Sequence, residues 1–114
     1  MKTIIYHNPR CSKSREALQL LIDRNENIDI VEYLKNPPSE CELQSIVKKL
    51  KINPLQLVRV SETLFKEKYK DKVYSDEQWI KIMAENPVLI ERPIVIKGNK
   101  AVIGRPPVLV VDIL

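Results

Sequence analysis

The pattern of apolar and polar positions predicts a strand, a helix and a second strand in the first third of the chain. KTIIY, residues 2–6, is β-branched and aromatic and is typical of a buried strand. The next apolar residues share one face of a predicted helix over about 12–25: Ala17, Leu18, Leu21 and Ile22. The apolar residues after it alternate with polar ones, as in a strand: Ile28, Ile30 and Tyr33. This order predicts a parallel βαβ unit.

Two capping-box patterns predict helices in the middle of the chain. Ser39 with Glu42 follows the break NPPS, and Ser75 with Gln78 precedes a second apolar stretch. After the first box, the apolar residues have the i, i+3, i+4, i+7 spacing of an amphipathic helix: Leu43, Ile46, Val47 and Leu50. Between the two helices, a short turn and a charged helix are expected at 55–58 and about 61–69.

The last quarter predicts a hairpin followed by a helix. Short apolar strands at 94–96 and 101–103 flank Gly98-Asn99, a dipeptide that closes two-residue hairpins. An apolar C-terminal segment follows RPP and is expected to be helical. The chain is therefore predicted to be one α/β domain, 1–114, with a thioredoxin-like fold. A helical insertion over about 39–86 separates the βαβ unit from the C-terminal ββα unit.

Composition and charge argue against a membrane protein and against a nucleic-acid-binding protein. The chain has 114 residues, 44% of them hydrophobic, and no apolar run approaches the ~20 residues of a membrane span. We read the N-terminus as a strand and not as a signal peptide, and therefore expect a cytoplasmic protein without a membrane partner. The net charge is +4, but much of the lysine lies in KEKYKDK, mixed with acids. This is typical of a solvated helix face, and no nucleic-acid partner is expected.

The two cysteines favour thiol chemistry over a disulfide or a metal site. Cys11 and Cys41 lie thirty positions apart without CxxC or metal-ligand spacing, and His7 is the only histidine. No metal or bound cofactor is expected. Cys41 is interpreted as a local packing residue, since thioredoxin-like topology gives no reason for it to face Cys11.

Cys11 is the candidate nucleophile because it stands where a predicted helix begins. Unpaired N–H groups and the helix dipole favour a thiolate there, and the flanking cations add to this effect. The backbone amides of Ser12, Lys13 and Ser14 are expected to face an anion bound at the same place. The Ser14 hydroxyl either bonds the thiolate or caps the helix. His7, at the end of the first strand, either assists thiolate formation or is an ordinary strand-end histidine.

Three arginines that lie far apart in sequence are candidate oxyanion ligands. Arg59 lies between apolar residues in LVRVSE, Arg92 at the entry to a strand, and Arg105 just after one. A guanidinium binds two oxyanion oxygens at once, and an oxyanion with three or four oxygens calls for several of them. Taken singly, each is interpreted as a surface charge. Pro93 is the candidate cis-proline, by analogy with thioredoxin-like folds.

A single usable thiol has a chemical consequence. Two-electron reduction by thiols consumes two of them and yields one disulfide. Cys11 therefore needs an external thiol, which predicts a glutathione-like cosubstrate or a glutaredoxin-like partner.

Several ordered segments resemble a known family, the glutaredoxin-dependent arsenate reductases, and within it the shorter arsenate reductase-like branch. They span nearly the whole chain: HNPRCSKSR, YLKNPPS, LVRVSE, NPVLIERPIVI and GRPPVLVVDIL. The resemblance implies a thioredoxin-like fold with a helical insertion. It also implies that Cys11 attacks arsenate, that His7 influences the cysteine, and that Arg59, Arg92 and Arg105 hold the arsenate oxygens. Glutathione would attack the adduct, and glutaredoxin would help complete reduction to arsenite.

The chain departs from the family pattern directly after the cysteine. Ser12 and Lys13 stand where a small residue and then Thr or Ser are usual.

Two other hypotheses about the function remain open at this point. One is an Spx-like regulator that binds RNA polymerase without catalysis, although Spx-type chains often carry CxxC and this one has CxxS. The other is a monothiol, glutaredoxin-like protein that deglutathionylates other proteins.

Overall fold

The central sheet has the mixed topology of a thioredoxin-like fold. The computed structural model describes all 114 residues, Met1–Leu114. Four strands lie in the order β2-β1-β3-β4, and their bounds are Thr3–Tyr6 (β1), Ile28–Val31 (β2), Ile94–Lys97 (β3) and Lys100–Ile103 (β4). β1 pairs in parallel with β2 and antiparallel with β3, and β3 pairs antiparallel with β4. The predicted fold class is confirmed.

The helices come in chain order as five α-helices and two 3₁₀ segments. The α-helices are Ser12–Asp23 (α1), Glu40–Leu50 (α2), Pro54–Leu57 (α3), Thr63–Lys68 (α4) and Asp76–Glu85 (α5). The 3₁₀ segments are Pro87–Leu89 and Pro107–Ile113. None of the helices is long and apolar enough to cross a membrane. The chain divides into two compact units, Met1–Asn36 with Arg92–Leu114, and Pro37–Glu91. The predicted insertion over about 39–86 falls within the second unit.

The core of the first unit packs α1 and the C-terminal segment against the sheet. Its fully buried members are Ile5, Ala17, Leu21, Val95 and Val110. Gly104 lies against this core, and a Cβ built on it would come within 2.9 Å of Pro93 Cγ and 3.1 Å of Val110 Cγ1. Glycine at this position therefore lets the segment after β4 approach Pro93 closely.

The second unit is helical, and both capping boxes predicted for it are confirmed. The Ser39 and Ser75 hydroxyls accept the backbone N–H groups of Glu42 and Gln78, whose side chains accept from the capping residues in return. Trp79 on α5 is buried, and three aromatic rings pack around it: Phe65, Tyr69 and Tyr74. This cluster gives the unit an apolar centre of its own.

Three local predictions need correction. The C-terminal segment is a 3₁₀ helix and not an α-helix, because β-branched valines and the prolines at its start disfavour α geometry. Its three-residue period places Pro107, Val110 and Ile113 on the core side.

The other two corrections concern which side chains are buried. Ile22 is half exposed, and Ser14 occupies the buried face of α1 instead. Cys41 is exposed because the buried stripe of α2 runs through Leu43 and Ile46.

Candidate active site

Cys11 is the residue that caps the N-terminus of α1. Its backbone is extended (φ −94°, ψ 123°), and its carbonyl accepts the first helical hydrogen bond, from Arg15 N–H. The turn before it is fixed by Asn8, whose carbonyl accepts Cys11 N–H at 3.0 Å and whose Oδ1 accepts Arg10 N–H at 3.0 Å. Local hydrogen bonds therefore hold the thiol at the positive end of the helix, as the sequence predicts.

The surroundings of Cys11 favour the thiolate. Burial raises the pKa of the thiol, but the backbone N–H of Ser14, the Arg92 guanidinium and the backbone N–H of Lys13 outweigh it, and the net pKa is lowered. Neither N–H makes a capping hydrogen bond of ordinary geometry to the sulfur. The effect is therefore that of main-chain dipoles and one cation lying close to Sγ. Ser12 and Lys13 are exposed, and Lys13 acts on the thiol through its backbone N–H.

Arg105 and Arg92 are brought together next to the nucleophile. Arg105 Nη1 lies 3.9 Å from Cys11 Sγ and donates to the Arg92 carbonyl at 3.2 Å. Arg92 Nε is buried and has no hydrogen-bond partner. A buried N–H donor without an acceptor is rare and costly, so it favours an anionic acceptor at this place. Two of the three predicted arginines thus provide positive charge around the thiol.

The Arg92–Pro93 peptide bond is cis, in agreement with the prediction for Pro93. The Arg105–Pro106 bond is also cis, and this second cis bond is not predicted by the sequence. Both arginines therefore immediately precede a cis-proline.

Arg59 lies in the second unit, just beyond Val58, which caps the C-terminus of α3, and two carboxylates contact it there. Its Nη1 lies 3.2 Å from Glu91 Oε1 and its Nε lies 3.5 Å from Glu62 Oε2, although the latter contact is not a hydrogen bond. All three side chains are partly buried, which makes these pairs less screened than surface ones. The sequence did not indicate either carboxylate as a partner, and the oxyanion role of Arg59 stays a prediction.

His7 contacts Ser14 and makes no hydrogen bond to Cys11. His7 Nδ1 lies 2.6 Å from Ser14 Oγ, and both side chains are buried. Ser14 Oγ also accepts Asn8 N–H at 3.0 Å, which leaves the hydroxyl proton available for Nδ1 of a neutral imidazole. The Ser14 hydroxyl therefore ties the helix to the end of β1, which is neither of the two roles considered for it from sequence.

The charge state of His7 is set by burial. Burial lowers the pKa of His7; Glu32 raises it and Arg15 lowers it further, with a net decrease. The neutral form is thus favoured at neutral pH. Sequence reasoning missed Glu32, yet a signal existed. Glu32 follows β2, and parallel strands such as β1 and β2 bring their carboxyl ends to the same edge of a sheet.

No group of three or more His, Cys, Asp or Glu side chains is arranged to hold a metal ion. Cys11 and Cys41 are both free thiols. The groups that the structure places at the site are one sulfur of lowered pKa, backbone N–H donors and the guanidinium groups of Arg92 and Arg105.

Comparison with known proteins identifies the family. The sequence model of the ArsC family matches residues 6–112. The chain belongs to the ArsC family. An arsenate reductase from Haemophilus influenzae is 48% identical over 116 aligned positions that cover both chains completely. The uncharacterized protein YfgD from Escherichia coli is 46% identical, with 96% of this chain and 94% of that protein covered. A solved arsenate reductase from Vibrio cholerae superposes with a TM-score of 0.94 at 43% identity, covering 100% and 98% of the two chains.

The region that matches the ArsC family contains every predicted site residue, from His7 to Arg105. The membership agrees with the resemblance drawn from the ordered motifs. It also agrees with a site built from one activated cysteine and guanidinium groups.

Proposed function

We propose that this protein reduces arsenate to arsenite, with the Cys11 thiolate as the nucleophile and external thiols as the reductant. The observation that carries the proposal is the lowered pKa of Cys11 beside Arg92 and Arg105. The arsenate reductases among its relatives support arsenate as the substrate. An activated thiol next to paired guanidinium groups suits attack on a small oxyanion.

The oxyanion is bound, in this proposal, by groups that surround Cys11. The buried Nε–H of Arg92 gains an acceptor, and Arg105 Nη1 supplies a second donor 3.9 Å from the sulfur. The backbone amides of Ser12, Lys13 and Ser14 add the dipoles of the helix N-terminus. The part of Arg59 as a third oxyanion ligand rests on the resemblance to the family alone.

The reaction balances with one arsenate and two thiols. Cys11 Sγ attacks arsenic and forms an S–As bond, and one oxygen leaves as water with protons from arsenate and solvent. Arsenic is still As(V) in this adduct. A glutathione thiolate then attacks Cys11 Sγ, an S–S bond forms and the S–As bond breaks. The electron pair of the broken bond stays on arsenic, which leaves as arsenite, As(III).

A second reductant must regenerate the enzyme. The mixed disulfide between Cys11 and glutathione is cleaved by thiol–disulfide exchange, the reaction for which we propose glutaredoxin as the partner. Cys41 is exposed on α2, and we assign it no part in this cycle. Because glutathione and glutaredoxin work in a reducing compartment, the proposal also places the protein in the cytoplasm.

The test is arsenite production from arsenate by the purified protein with glutathione and glutaredoxin. Wild type and Cys41→Ser are expected to be active, whereas Cys11→Ser falls to the rate without enzyme. Equal rates in wild type and Cys11→Ser would refute the proposal. Turnover of a glutathione mixed disulfide without arsenate reduction would favour the deglutathionylating alternative. Specific capture of the RNA polymerase α-subunit by an inactive protein would favour the regulator.

A further inference from the structure

A second concave site lies beside the loop that leads into the nucleophile. It has a volume of about 250 Å³ and belongs entirely to the first unit. Two segments supply the side chains that matter for its chemistry: Pro9 and Arg10 directly before Cys11, and Glu32, Leu34 and Lys35 after β2. Neither Arg92 nor Arg105 lines it, so it is separate from the guanidinium groups that surround the thiol.

The lining of this cavity combines apolar surface with three charged groups. Leu34, which is 44% exposed, and Pro9, which is also exposed, both contribute apolar surface to the lining. Two cations and one carboxylate accompany these apolar groups: Arg10, Lys35 and Glu32.

None of the three charged groups is held by a strong ion pair. No ion pair or side-chain hydrogen bond engages the Arg10 guanidinium. Lys35 and Glu32 are 3.8 Å apart, with side chains 76% and 38% exposed. An exposed pair of this kind is worth little, so a ligand can replace either partner at small cost.

We propose that this cavity binds the small-peptide thiol that reduces the Cys11 adduct. Glutathione is the example of such a thiol. The inference rests on the proposed function, which requires an external thiol. Glutathione carries two carboxylates and one ammonium, and the cavity offers two cations and one carboxylate in complement. The cavity volume, about 250 Å³, lies near the lower end of the range usual for small-molecule sites, roughly 300–1,000 Å³.

The position of the cavity gives this binding a catalytic consequence. Arg10 is the residue before Cys11, and the turn that carries both is held by Asn8. Because Arg10 lines the cavity and Cys11 is the next residue, we expect a peptide anchored there to deliver its thiol to the adduct from the bound complex and not by collision. Thiols without charged groups gain nothing from the cavity and react only by collision.

The first experiment measures binding without chemistry. S-methylglutathione, which cannot react, is titrated into wild type, Lys35→Glu and Lys100→Glu by isothermal titration calorimetry. Lys100 is exposed on β4 and does not line the cavity, so its substitution changes the net charge equally and serves as the matched control. Binding is expected to weaken about fivefold or more in Lys35→Glu and to stay at the wild-type value in Lys100→Glu. No binding to wild type, or equal weakening in both variants, overturns the subsite.

The second experiment compares two thiols in arsenate reduction. Lys35→Glu is expected to raise KM for glutathione while the rate with uncharged 2-mercaptoethanol stays unchanged. A parallel loss with both thiols overturns the subsite, since it would report general damage to the enzyme. Both assays contain glutaredoxin; if wild type then reduces arsenate with neither thiol, the proposed function fails, and the S-methylglutathione titration still decides whether the cavity binds the peptide.

Discussion

Replacement of Ser14 by alanine tests how the nucleophilic helix is attached to the sheet. The change removes the hydroxyl that accepts Asn8 N–H at 3.0 Å and contacts His7 Nδ1 at 2.6 Å. Both partners then lose a hydrogen bond in a place where the serine itself is fully buried. An unsatisfied buried polar group costs about 1–3 kcal/mol, so two of them, one partly reached by water, predict about 2–4 kcal/mol of destabilisation.

The same substitution is expected to change the thiol pKa little. Among the groups that lower the pKa of Cys11, Ser14 contributes through its backbone N–H, which alanine keeps. Urea unfolding measures the loss of stability, and the pH profile of Cys11 alkylation, in a Cys41→Ser background, measures the thiol pKa.

Ser12→Ala is the matched control for this prediction. Ser12 is exposed at the start of the same helix and makes no side-chain hydrogen bond, so its substitution is expected to cost less than about 0.5 kcal/mol. The reasoning is refuted if Ser14→Ala is as stable as the control. It is also refuted if Ser14→Ala raises the pKa of Cys11, because the hydroxyl would then act on the thiolate itself.

Three further predictions concern charge and packing around the site. Arg92→Gln is expected to raise the pKa of Cys11 and move its alkylation profile to higher pH, measured with the other cysteine removed; an unchanged profile would contradict the assigned cause. The pKa of His7 lies below its ordinary 6.5 in the folded state, so the unfolded chain binds the proton more readily and stability is lost as pH falls below 6.5. His7→Gln should flatten this dependence in urea unfolding at pH 5–7.5, and an equal slope in both proteins would exclude His7 as its source. Gly104→Ala should lower the free energy of unfolding by about 1–3 kcal/mol, because its Cβ would lie 2.9 Å from the Pro93 ring. An unchanged unfolding midpoint would show that the ring moves to relieve this contact.

Local signals were sufficient to predict most of the architecture. The capping boxes at Ser39 and Ser75 begin α2 and α5, and the Gly98-Asn99 turn joins β3 to β4. In each case the decisive interactions lie within a few residues of one another along the chain. Cys11 was placed correctly at the start of α1 for the same reason, since the end of a strand and the start of a helix are both local features.

The side-chain partners of the site could not be predicted in this way. Serine is a polar residue type that is mostly found exposed. The burial of Ser14 against His7 depends on how α1 packs on the sheet. Glu91 lies 32 positions from Arg59, and no periodicity links two charged residues at that separation. Pairings of this kind are set by tertiary packing, which the pattern of apolar positions constrains only coarsely.

The activation of Cys11 by main-chain N–H groups has a consequence for how this protein can diversify. Every residue other than proline supplies the same backbone amide, so the side chains at positions 12 and 13 are free to change while the thiol keeps its reactivity. With an exposed serine and an exposed lysine at these positions, the pKa of the Cys11 thiol is still lowered. Natural variation at these two exposed positions can therefore adjust which anion or thiol approaches the sulfur, independently of the chemistry that the sulfur performs.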